Sequence, residues 1–400
     1  MAVPDQAVSS FADLLRPLTE AEFFGQHYEQ QALHIHAADR DRFEALRSSI
    51  NLEEVLHLSC RSWGAVSLAG EAKPGAPLLD TSSPPDPDRV FEAFAQGRTI
   101  VVNDLQAKNL AVARLCRLVE ARLMCRANVN LYLTPAQTPG LARHYDDDDV
   151  LVLQLEGEKT WRTWPTEDRL PLGDTPYVEP CPAVAEQVHR LLPGDLLYVP
   201  RGAPHAARSG ATDSLHLTVS LHVFRMVHLV RDAVSVAAAY DPSLRRAAPV
   251  ETVRGSGAWD AATLLEEAAR VLRRQTDGSE EAAARTRARL LAGIQSLPRL
   301  LKTTAPQRVT AETRVGINEN QLWGLRRSDG GVLIECTGTT FEVPLPLARI
   351  APLLQADEPF CASDLEDVVS IDRRVAMLQA MVDSRFLRVI DPVDAAVGVL

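Results

Sequence analysis

Short runs of alternating apolar and polar residues follow one another through the middle of the chain. In ANVNLYLT, the side chains of Val129, Leu131 and Leu133 fall on one side of an extended backbone, and polar side chains fall on the other. Further short strands are predicted for Val150–Leu155, Thr160–Trp164, Val188–Leu192, Leu196–Val199 and Leu215–Val223. Glycine and proline separate these runs. Many short strands joined by such turns are typical of a sandwich or barrel rather than of a parallel sheet.

The strand count fits a double-stranded β-helix, the jelly roll of the cupins, with helices before and after it. Residues 8–60 show helical spacing mixed with one short strand. Beyond Phe224, three segments rich in good helix formers predict helices at Met226–Tyr240, Ala261–Arg274 and Glu280–Leu291. From about Val309, a predicted β-hairpin and a helix over Arg373–Ser384 suggest a winged-helix-like unit.

The predicted fold class is therefore α+β, in three parts. Residues 1–225 are predicted to form a jelly-roll domain with N-terminal helical and strand additions. Residues 226–305 form a helical domain whose apolar faces serve either a core or a subunit interface. Residues 306–400 form the winged-helix-like domain. The closing helix of this last part carries two arginines among acids, so we do not expect it to bind nucleic acid.

Composition narrows the class of protein. A net charge of -11 disfavours a general nucleic-acid binder. The six cysteines include no CxxC pair, which disfavours a zinc ribbon and a disulfide framework and favours reduced thiols. We recognise no secretory leader and no apolar run long enough to span a bilayer, so we expect a cytoplasmic protein without a membrane partner.

Two histidines and an aspartate have the spacing of a metal site. His144 and Asp146 form a His-x-Asp pair, whose side chains would share one face if the pair lay on a strand. His205 ends the segment PGDLLYVPRGAPH, in which Pro200 and Gly202 predict a tight turn that aims the imidazole inward. Two imidazoles and one carboxylate are the ligands of the facial triad of non-haem Fe(II), which leaves positions open for substrate and oxygen.

Two other polar groups have simpler interpretations. His34 and His36 form an HxH pair that could in principle bind metal, but period-two alternation favours two polar positions on one face of an edge strand. Asp147, Asp148 and Asp149 continue the acidic run after Asp146, and we expect them to form a solvated acidic rim. Such a rim could attract a basic substrate segment.

A metal site of this kind is often accompanied by a cation that binds a second, acidic ligand. Oxygenases with this ligand set commonly bind 2-oxoglutarate, whose distal carboxylate needs a positive charge inside the barrel. Lys159, on or beside the next strand, could supply that charge, and the neighbouring Arg162 is the rival candidate.

The sequence resembles the JmjC-type ribosomal oxygenases, the cupin-4 group that hydroxylates ribosomal proteins. NVNLYLTPAQTPGLARHYDDDDVLVLQLEGEKTWRTW, PGDLLYVPRGAPH and SLHLTVSLH carry the resemblance over residues 125–225, and the helical and C-terminal parts match more loosely. The run LQLEGEKTW is closer to the histidine hydroxylases of the group than to its arginine hydroxylases. The resemblance implies a homodimer that hydroxylates a protein or peptide side chain, His or Arg, with a ribosomal protein as the main candidate.

Carried over by position, the resemblance implies roles for individual residues. Fe(II) would be bound by His144, Asp146 and His205, and 2-oxoglutarate by Lys159. Asn130 and His216 would lie beside 2-oxoglutarate, and Tyr132 would line the substrate path. The sequence supports no role for His222 or His228.

Three rival functions remain open at this stage. The same pocket could hydroxylate a peptide natural-product precursor or a small molecule. The same iron chemistry could demethylate an N-methyl lysine. The chain could also be a non-catalytic metal-binding regulator, although a complete triad beside Lys159 argues against this.

Overall fold

The computed structural model divides into two compact units, residues 1–223 and 224–400. It describes residues 8–62, 64–70, 85–165, 169–172, 187–247, 250, 254, 261–274, 278–294, 308–318, 321–356, 358–365 and 369–390. Among these residues, no helix combines the length and the apolar character that crossing a membrane would require.

The larger sheet of the first unit has seven antiparallel strands. Its strands, in the order in which they lie side by side, are β1 (Leu33–Ile35), β8 (Leu196–Val199), β5 (Asp149–Glu156), β10 (Ser214–His222), β4 (Arg126–Thr134), β3 (Thr99–Val102) and β2 (Val66–Ala69). A second sheet of three strands consists of β7 (Gln187–Leu191), β6 (Lys159–Thr163) and β9 (His205–Ser209). Together these sheets are a double-stranded β-helix with flanking helices, which confirms the predicted jelly roll.

The helices of the first unit cover the outer face of the large sheet. They are α1 (Phe11–Leu15), α2 (Glu20–Gln26), α3 (Glu44–Ser48), α4 (Leu52–Ser59), α5 (Pro87–Ala95) and α6 (Leu110–Leu123). Leu151 and Leu153 of β5 pack into the core under these helices, whereas Val150 and Val152 point into a smaller core between the two sheets. Burial on both faces explains why β5 reads as an almost unbroken apolar run.

Strand β4 is apolar on one face only. Val129 and Leu131 pack into the outer core, so Tyr132 and its neighbours on the alternate positions face the interior of the barrel. The polar face that the alternation showed therefore lines the inside of the barrel and not the solvent surface.

Within its described residues, the second unit has three long helices followed by a small α/β part. Its elements are α7 (Met226–Tyr240), α8 (Ala261–Arg274), α9 (Gly278–Gly293), β11 (Val315–Ile317), β12 (Trp323–Ser328), β13 (Gly331–Cys336), β14 (Thr339–Pro344), α10 (Ile350–Ala356), α11 (Ile371–Asp383) and β15 (Leu387–Val389). Strands β12–β14 form one antiparallel sheet, and β11 pairs with β15. The winged-helix interpretation and the boundary near residue 305 stay predictions.

The structure differs from what the sequence pattern indicated at two places. The His-x-Asp pair does not lie on a strand: His144 makes an isolated β-bridge, and Asp146 precedes the first residue of β5. Strand β9 was missed because its residues, HAARS, carry little apolar character. Both differences fall on the segments that bring the candidate ligands together.

The prediction of a solvated acidic rim was wrong for Asp149. Its side chain is fully buried and accepts a 2.5 Å hydrogen bond from the hydroxyl of Tyr198. That hydroxyl in turn accepts the backbone N–H of Glu29 at 2.8 Å, and the guanidinium of Arg201 lies 3.7 Å from the carboxylate. Burial raises the pKa of Asp149. This network joins the chain after α2 to strands β5 and β8.

We expect Tyr198→Phe to lower the free energy of unfolding by about 1–3 kcal/mol, because the substitution removes the hydrogen bond to the buried Asp149 carboxylate and the acceptor of the part-buried Glu29 N–H. Urea denaturation measures the change. Tyr28→Phe is the matched control: its ring packs in the same aromatic cluster, 6.3 Å from that of Tyr198, but no hydrogen bond involves its hydroxyl within the described residues. Equal effects of the two substitutions would contradict this account.

Candidate active site

The three predicted metal ligands converge. One ligand atom from each of His144, Asp146 and His205 lies within 4.8 Å of the others. The carboxylate oxygens of Asp146 are 3.8 Å from Nε2 of His144 and 3.7 Å from Nε2 of His205. The ring centroids of the two imidazoles are 4.3 Å apart. These separations allow a single ion to contact all three side chains.

Backbone hydrogen bonds hold the two ligand-bearing segments against each other. The N–H of His144 donates to the carbonyl of His205 at 3.1 Å, and the N–H of His205 donates back to the carbonyl of His144 at 2.7 Å. The N–H of Gly202 donates to the carbonyl of Asp146 at 2.8 Å. Gly202 has a φ of 79°, a conformation that favours glycine. The tight turn predicted from the sequence is thereby attached to the His-x-Asp pair.

The hydrogen bonds of the imidazoles select the tautomer that metal binding requires. Nδ1 of His144 lies 2.8 Å from the carbonyl of Ala142, and Nδ1 of His205 lies 3.1 Å from the carbonyl of Ala203. Since a carbonyl can only accept, Nδ1 carries a proton in both rings, and Nε2 is the nitrogen whose lone pair is available in the neutral ring. Burial, together with the neighbouring His144, lowers the pKa of His205, which favours a neutral ring.

A cavity of about 300 Å³ adjoins the triad, and Lys159 is buried in its wall. The side chain of Lys159 is 3% exposed, and its ammonium donates a 2.9 Å hydrogen bond to Oγ1 of Thr134. Burial lowers the pKa of Lys159 from 10.5 to about 7. No carboxylate among the described residues forms an ion pair with this ammonium. A buried cation without a counter-charge favours an anionic ligand in the cavity.

Arg162, the rival candidate, lies on the opposite face of β6. Lys159 and Trp161 are buried on the inner face of this strand, whereas Arg162 is exposed. The strand therefore directs the lysine and not the arginine toward the cavity.

His216 and Tyr132 line the same cavity from neighbouring strands. Their rings stack with centroids 4.8 Å apart, and Trp161 meets His216 edge-on at 5.5 Å. Burial, and secondarily Lys159, holds the pKa of His216 well below its usual value, so that its ring is neutral. Asn130 is placed differently: its side-chain oxygen accepts the N–H of Asp104 at 3.1 Å, and it is not among the residues that line the cavity.

His222 lies beyond the cavity at the end of β10. Its Nδ1 is 2.6 Å from the carboxylate of Asp148, which raises its pKa. Asp148 and His222 therefore form an ion pair, a contact that the sequence did not reveal.

Sequence reasoning missed three residues near the site. Thr218 and Trp161 line the cavity, and Thr134 holds the ammonium of Lys159. Each lies on the same face of its strand as a predicted site residue, two positions away: Thr218 after His216, Trp161 after Lys159, and Thr134 after Tyr132. Period-two alternation was the signal that could have found all three.

The polar atoms of the site fit a divalent ion and an acidic ligand. Two imidazoles and one carboxylate are a set of ligands that suits Fe(II) chemically. Nδ1 of His216 and Nε1 of Trp161 are buried without a hydrogen-bond partner in the described part of the chain. Together with the ammonium of Lys159, these atoms are able to contact a bound ligand that carries oxygen atoms.

Comparison with known proteins agrees with this geometry. Residues 102–229 match the family described as JmjC domain. The matched segment is about a third of the chain. The JmjC domain contains all three candidate ligands and Lys159, which confirms the resemblance inferred from the sequence.

The relatives of the JmjC domain include ribosomal oxygenases. The chain is 32% identical over 236 residues to "Ribosomal oxygenase 2" of Rattus norvegicus, an alignment that covers 54% of this chain and 48% of that protein. It is 30% identical over 237 residues to "Bifunctional lysine-specific demethylase and histidyl-hydroxylase NO66" of Dictyostelium discoideum, covering 56% and 45%. The chain thus spans about half the length of these curated relatives.

A solved structure extends the similarity of fold beyond the JmjC domain. The structure of E. coli ycfD aligns with 93% of this chain and 98% of its own, with a TM-score of 0.51 and 16% sequence identity. At this identity the likeness concerns the fold alone.

We expect Lys159→Met to stabilise the protein without ligand. Unfolded lysine titrates near 10.5, whereas buried Lys159 titrates near 7. Between these values the unfolded state binds more protons, so this lysine makes stability rise with pH. The methionine variant should therefore melt at a higher temperature near neutral pH and lose that part of the pH dependence.

Differential scanning calorimetry from pH 7 to pH 10 measures both effects. Arg162→Met is the control, since it removes an exposed cation from the same strand. A lower melting temperature for Lys159→Met across this range would show that the buried ammonium is stabilised by an interaction that this account omits.

Proposed function

We propose that this chain is an Fe(II)- and 2-oxoglutarate-dependent oxygenase that hydroxylates a side chain of a ribosomal protein. One observation supports the enzymatic part of the proposal. The side chains of His144, Asp146 and His205 converge, and they line the same cavity as the buried cation of Lys159. A site that only held a structural ion would have no need for a buried, unpaired cation in the same cavity.

Each group of the site has a role in this proposal. His144, Asp146 and His205 would hold Fe(II), and Lys159 would bind the distal carboxylate of 2-oxoglutarate. The iron centre would supply the oxidative chemistry, in which 2-oxoglutarate and O2 give succinate, carbon dioxide and one hydroxylated product. His216 would lie beside the cosubstrate, and Tyr132 would line the path of the substrate.

The chain's own contribution is to position the reactants and exclude water. A dicarboxylate stabilises the charged form of Lys159, so that binding raises the pKa of the lysine and draws a proton to Nζ. Apolar side chains of Val150, Val152 and Leu141 line the same cavity and reduce its access to water. The carbonyls of Ala142 and Ala203 keep each imidazole oriented by accepting the Nδ1 proton.

Asn130 supports the site from outside the cavity. Its side-chain oxygen accepts the N–H of Asp104 and its side chain hydrogen-bonds to Tyr132, an interaction that lowers the pKa of the tyrosine against the larger effect of burial. We propose that Asn130 orients Tyr132 on the substrate path.

The names of the relatives support a protein substrate. They include "ribosomal oxygenase" and "histidyl-hydroxylase", which favours histidine as the hydroxylated residue of a ribosomal protein. The name of the Dictyostelium discoideum relative also includes "lysine-specific demethylase", so demethylation of N-methyl lysine is the second candidate. The two reactions differ in product, because demethylation releases formaldehyde and hydroxylation of histidine does not.

A homodimer and a cytoplasmic location remain proposals. An exposed apolar face on α7 supports the dimer: Met226 is 72% exposed, Val230 52% and Val227 42%.

The wild-type chain, reconstituted anaerobically with Fe(II) and then given O2, should convert 2-oxoglutarate to succinate. His205→Ala should reduce this turnover by more than about 100-fold, since loss of groups that only support metal ligands already costs about 10–100-fold. His57→Ala removes an exposed imidazole of α4 and should leave turnover unchanged. Succinate is quantified by mass spectrometry. Equal turnover by His205→Ala and the wild type would end the proposal.

Ribosomal proteins from a strain that lacks the gene should contain one residue without the added oxygen found in the wild type. Intact-protein and peptide mass spectrometry would locate it, and purified wild-type enzyme, but not His205→Ala, should restore the added mass. Release of formaldehyde from a methyl-lysine peptide, with unchanged ribosomal proteins, would favour demethylation instead.

A further inference from the structure

A second group of potential metal ligands lies away from the candidate active site. His34 on β1, His36 just after β1 and Asp195 just before β8 each place one ligand atom within 4.8 Å of the others. The sequence favoured two polar positions on an edge strand, and β1 is the edge strand of the large sheet. Edge position alone does not explain why the side chain of His34 is only 8% exposed and faces a fully buried carboxylate.

The two imidazoles are unusually close. Their ring centroids are 3.8 Å apart, and the ring of His189 meets His34 edge-on at 5.8 Å. Two charged imidazolium rings at such a distance would repel each other, so at least one ring is neutral and has a lone pair available for a metal ion. Burial, and secondarily His36, lowers the pKa of His34 in agreement with this argument.

The distances suit coordination. Nε2 of His34 lies 3.3 Å from Oδ2 of Asp195, which is long for a charge-assisted hydrogen bond. Two ligands bound tetrahedrally to Zn²⁺ at about 2.0–2.1 Å lie roughly 3.3–3.4 Å apart. Among the described residues, the exposed imidazole of His36 makes no hydrogen bond, so it is free to provide a third ligand.

The carboxylate is fixed in place by the main chain. Asp195 accepts the N–H of Ala37 at 2.9 Å through Oδ1 and the N–H of Leu192 at 3.0 Å through Oδ2. The guanidinium of Arg40 lies 2.5 Å from Oδ1, on a side chain that is 47% exposed. Because Arg40 contacts the other oxygen and reaches solvent, it is able to move away when a cation binds.

We propose that His34, His36 and Asp195 form a second metal site, which binds Zn²⁺ independently of the candidate active site. Solvent completes the coordination of the ion. The ion connects β1 and the residue after it to the turn that precedes β8. Strand β8 is followed in the chain by Gly202 and His205. Its role is structural: it fastens an edge strand that otherwise makes only three pairings, Leu33 with Tyr198, His34 with Leu197, and Ile35 with Leu196.

The test is the number of Zn²⁺ ions bound by the full chain after chelator treatment and equilibrium dialysis, measured by inductively coupled plasma mass spectrometry. The wild type should bind about two equivalents, one at each site. His36→Ala and Asp146→Ala should each bind about one, and the double variant should bind none. His57→Ala, which removes an isolated exposed imidazole, should behave as the wild type.

A second measurement separates site loss from misfolding. In the Asp146→Ala background, Zn²⁺ should raise the melting temperature and Co²⁺ should give a visible d–d absorption spectrum. Both effects should disappear when His36→Ala is added, whereas the far-ultraviolet circular dichroism should not change. Equal Zn²⁺ binding by Asp146→Ala and by the double variant, or a wild type that binds a single equivalent, would overturn the proposal.

Discussion

The reciprocal backbone hydrogen bonds between His144 and His205 are the interaction on which the candidate active site depends. Neither His144 nor Asp146 lies on a regular strand, so the sheet alone does not fix their positions. The mutual bonds, with the bond from Gly202 to Asp146, hold both ligand segments at one place. The carbonyls of Ala142 and Ala203 then orient the rings. The two candidate ligands outside regular strands are held here by main-chain contacts with the first residue of β9 and with the turn before it.

The buried lysine shows that the site is arranged for a ligand more than for stability. Holding Lys159 in an apolar environment lowers its pKa to about 7 and costs stability whenever it is charged. Thr134 offers one neutral partner, which does not balance a full charge. A dicarboxylate in the cavity would supply the missing counter-charge. The candidate active site therefore carries an electrostatic cost that the proposed cosubstrate would relieve.

Period-two alternation predicted most of the jelly roll because a strand with one buried face repeats its pattern locally. The pattern located β4, β5, β8 and β10 to within about two residues. It separated the polar face of β4, which carries Tyr132, from the apolar face of that strand, as the structure does. It did not find β9, whose short, weakly apolar sequence is held by pairing with β6.

The remaining errors concern contacts between distant residues. Asp147, Asp148 and Asp149 are identical in type, yet Asp149 alone is fully buried, because it reaches the hydroxyl of Tyr198. The residues next to Asp149 in the sequence do not indicate that Tyr198 is its partner. The same holds for His34 and His36. They form a potential metal site only together with Asp195, which is about 160 residues away in the chain. Sequence pattern predicted the elements, whereas tertiary contacts decided what their polar side chains do.

The most direct test of the central claim is the visible absorption of the anaerobic protein with Fe(II) and 2-oxoglutarate. If His144, Asp146 and His205 bind one ion beside Lys159, adding both components should produce a metal-to-ligand charge-transfer band. The band should be absent in His205→Ala and should require a much higher concentration of 2-oxoglutarate in Lys159→Met. A wild-type protein without the band, or a band of equal strength in His205→Ala, would contradict the account.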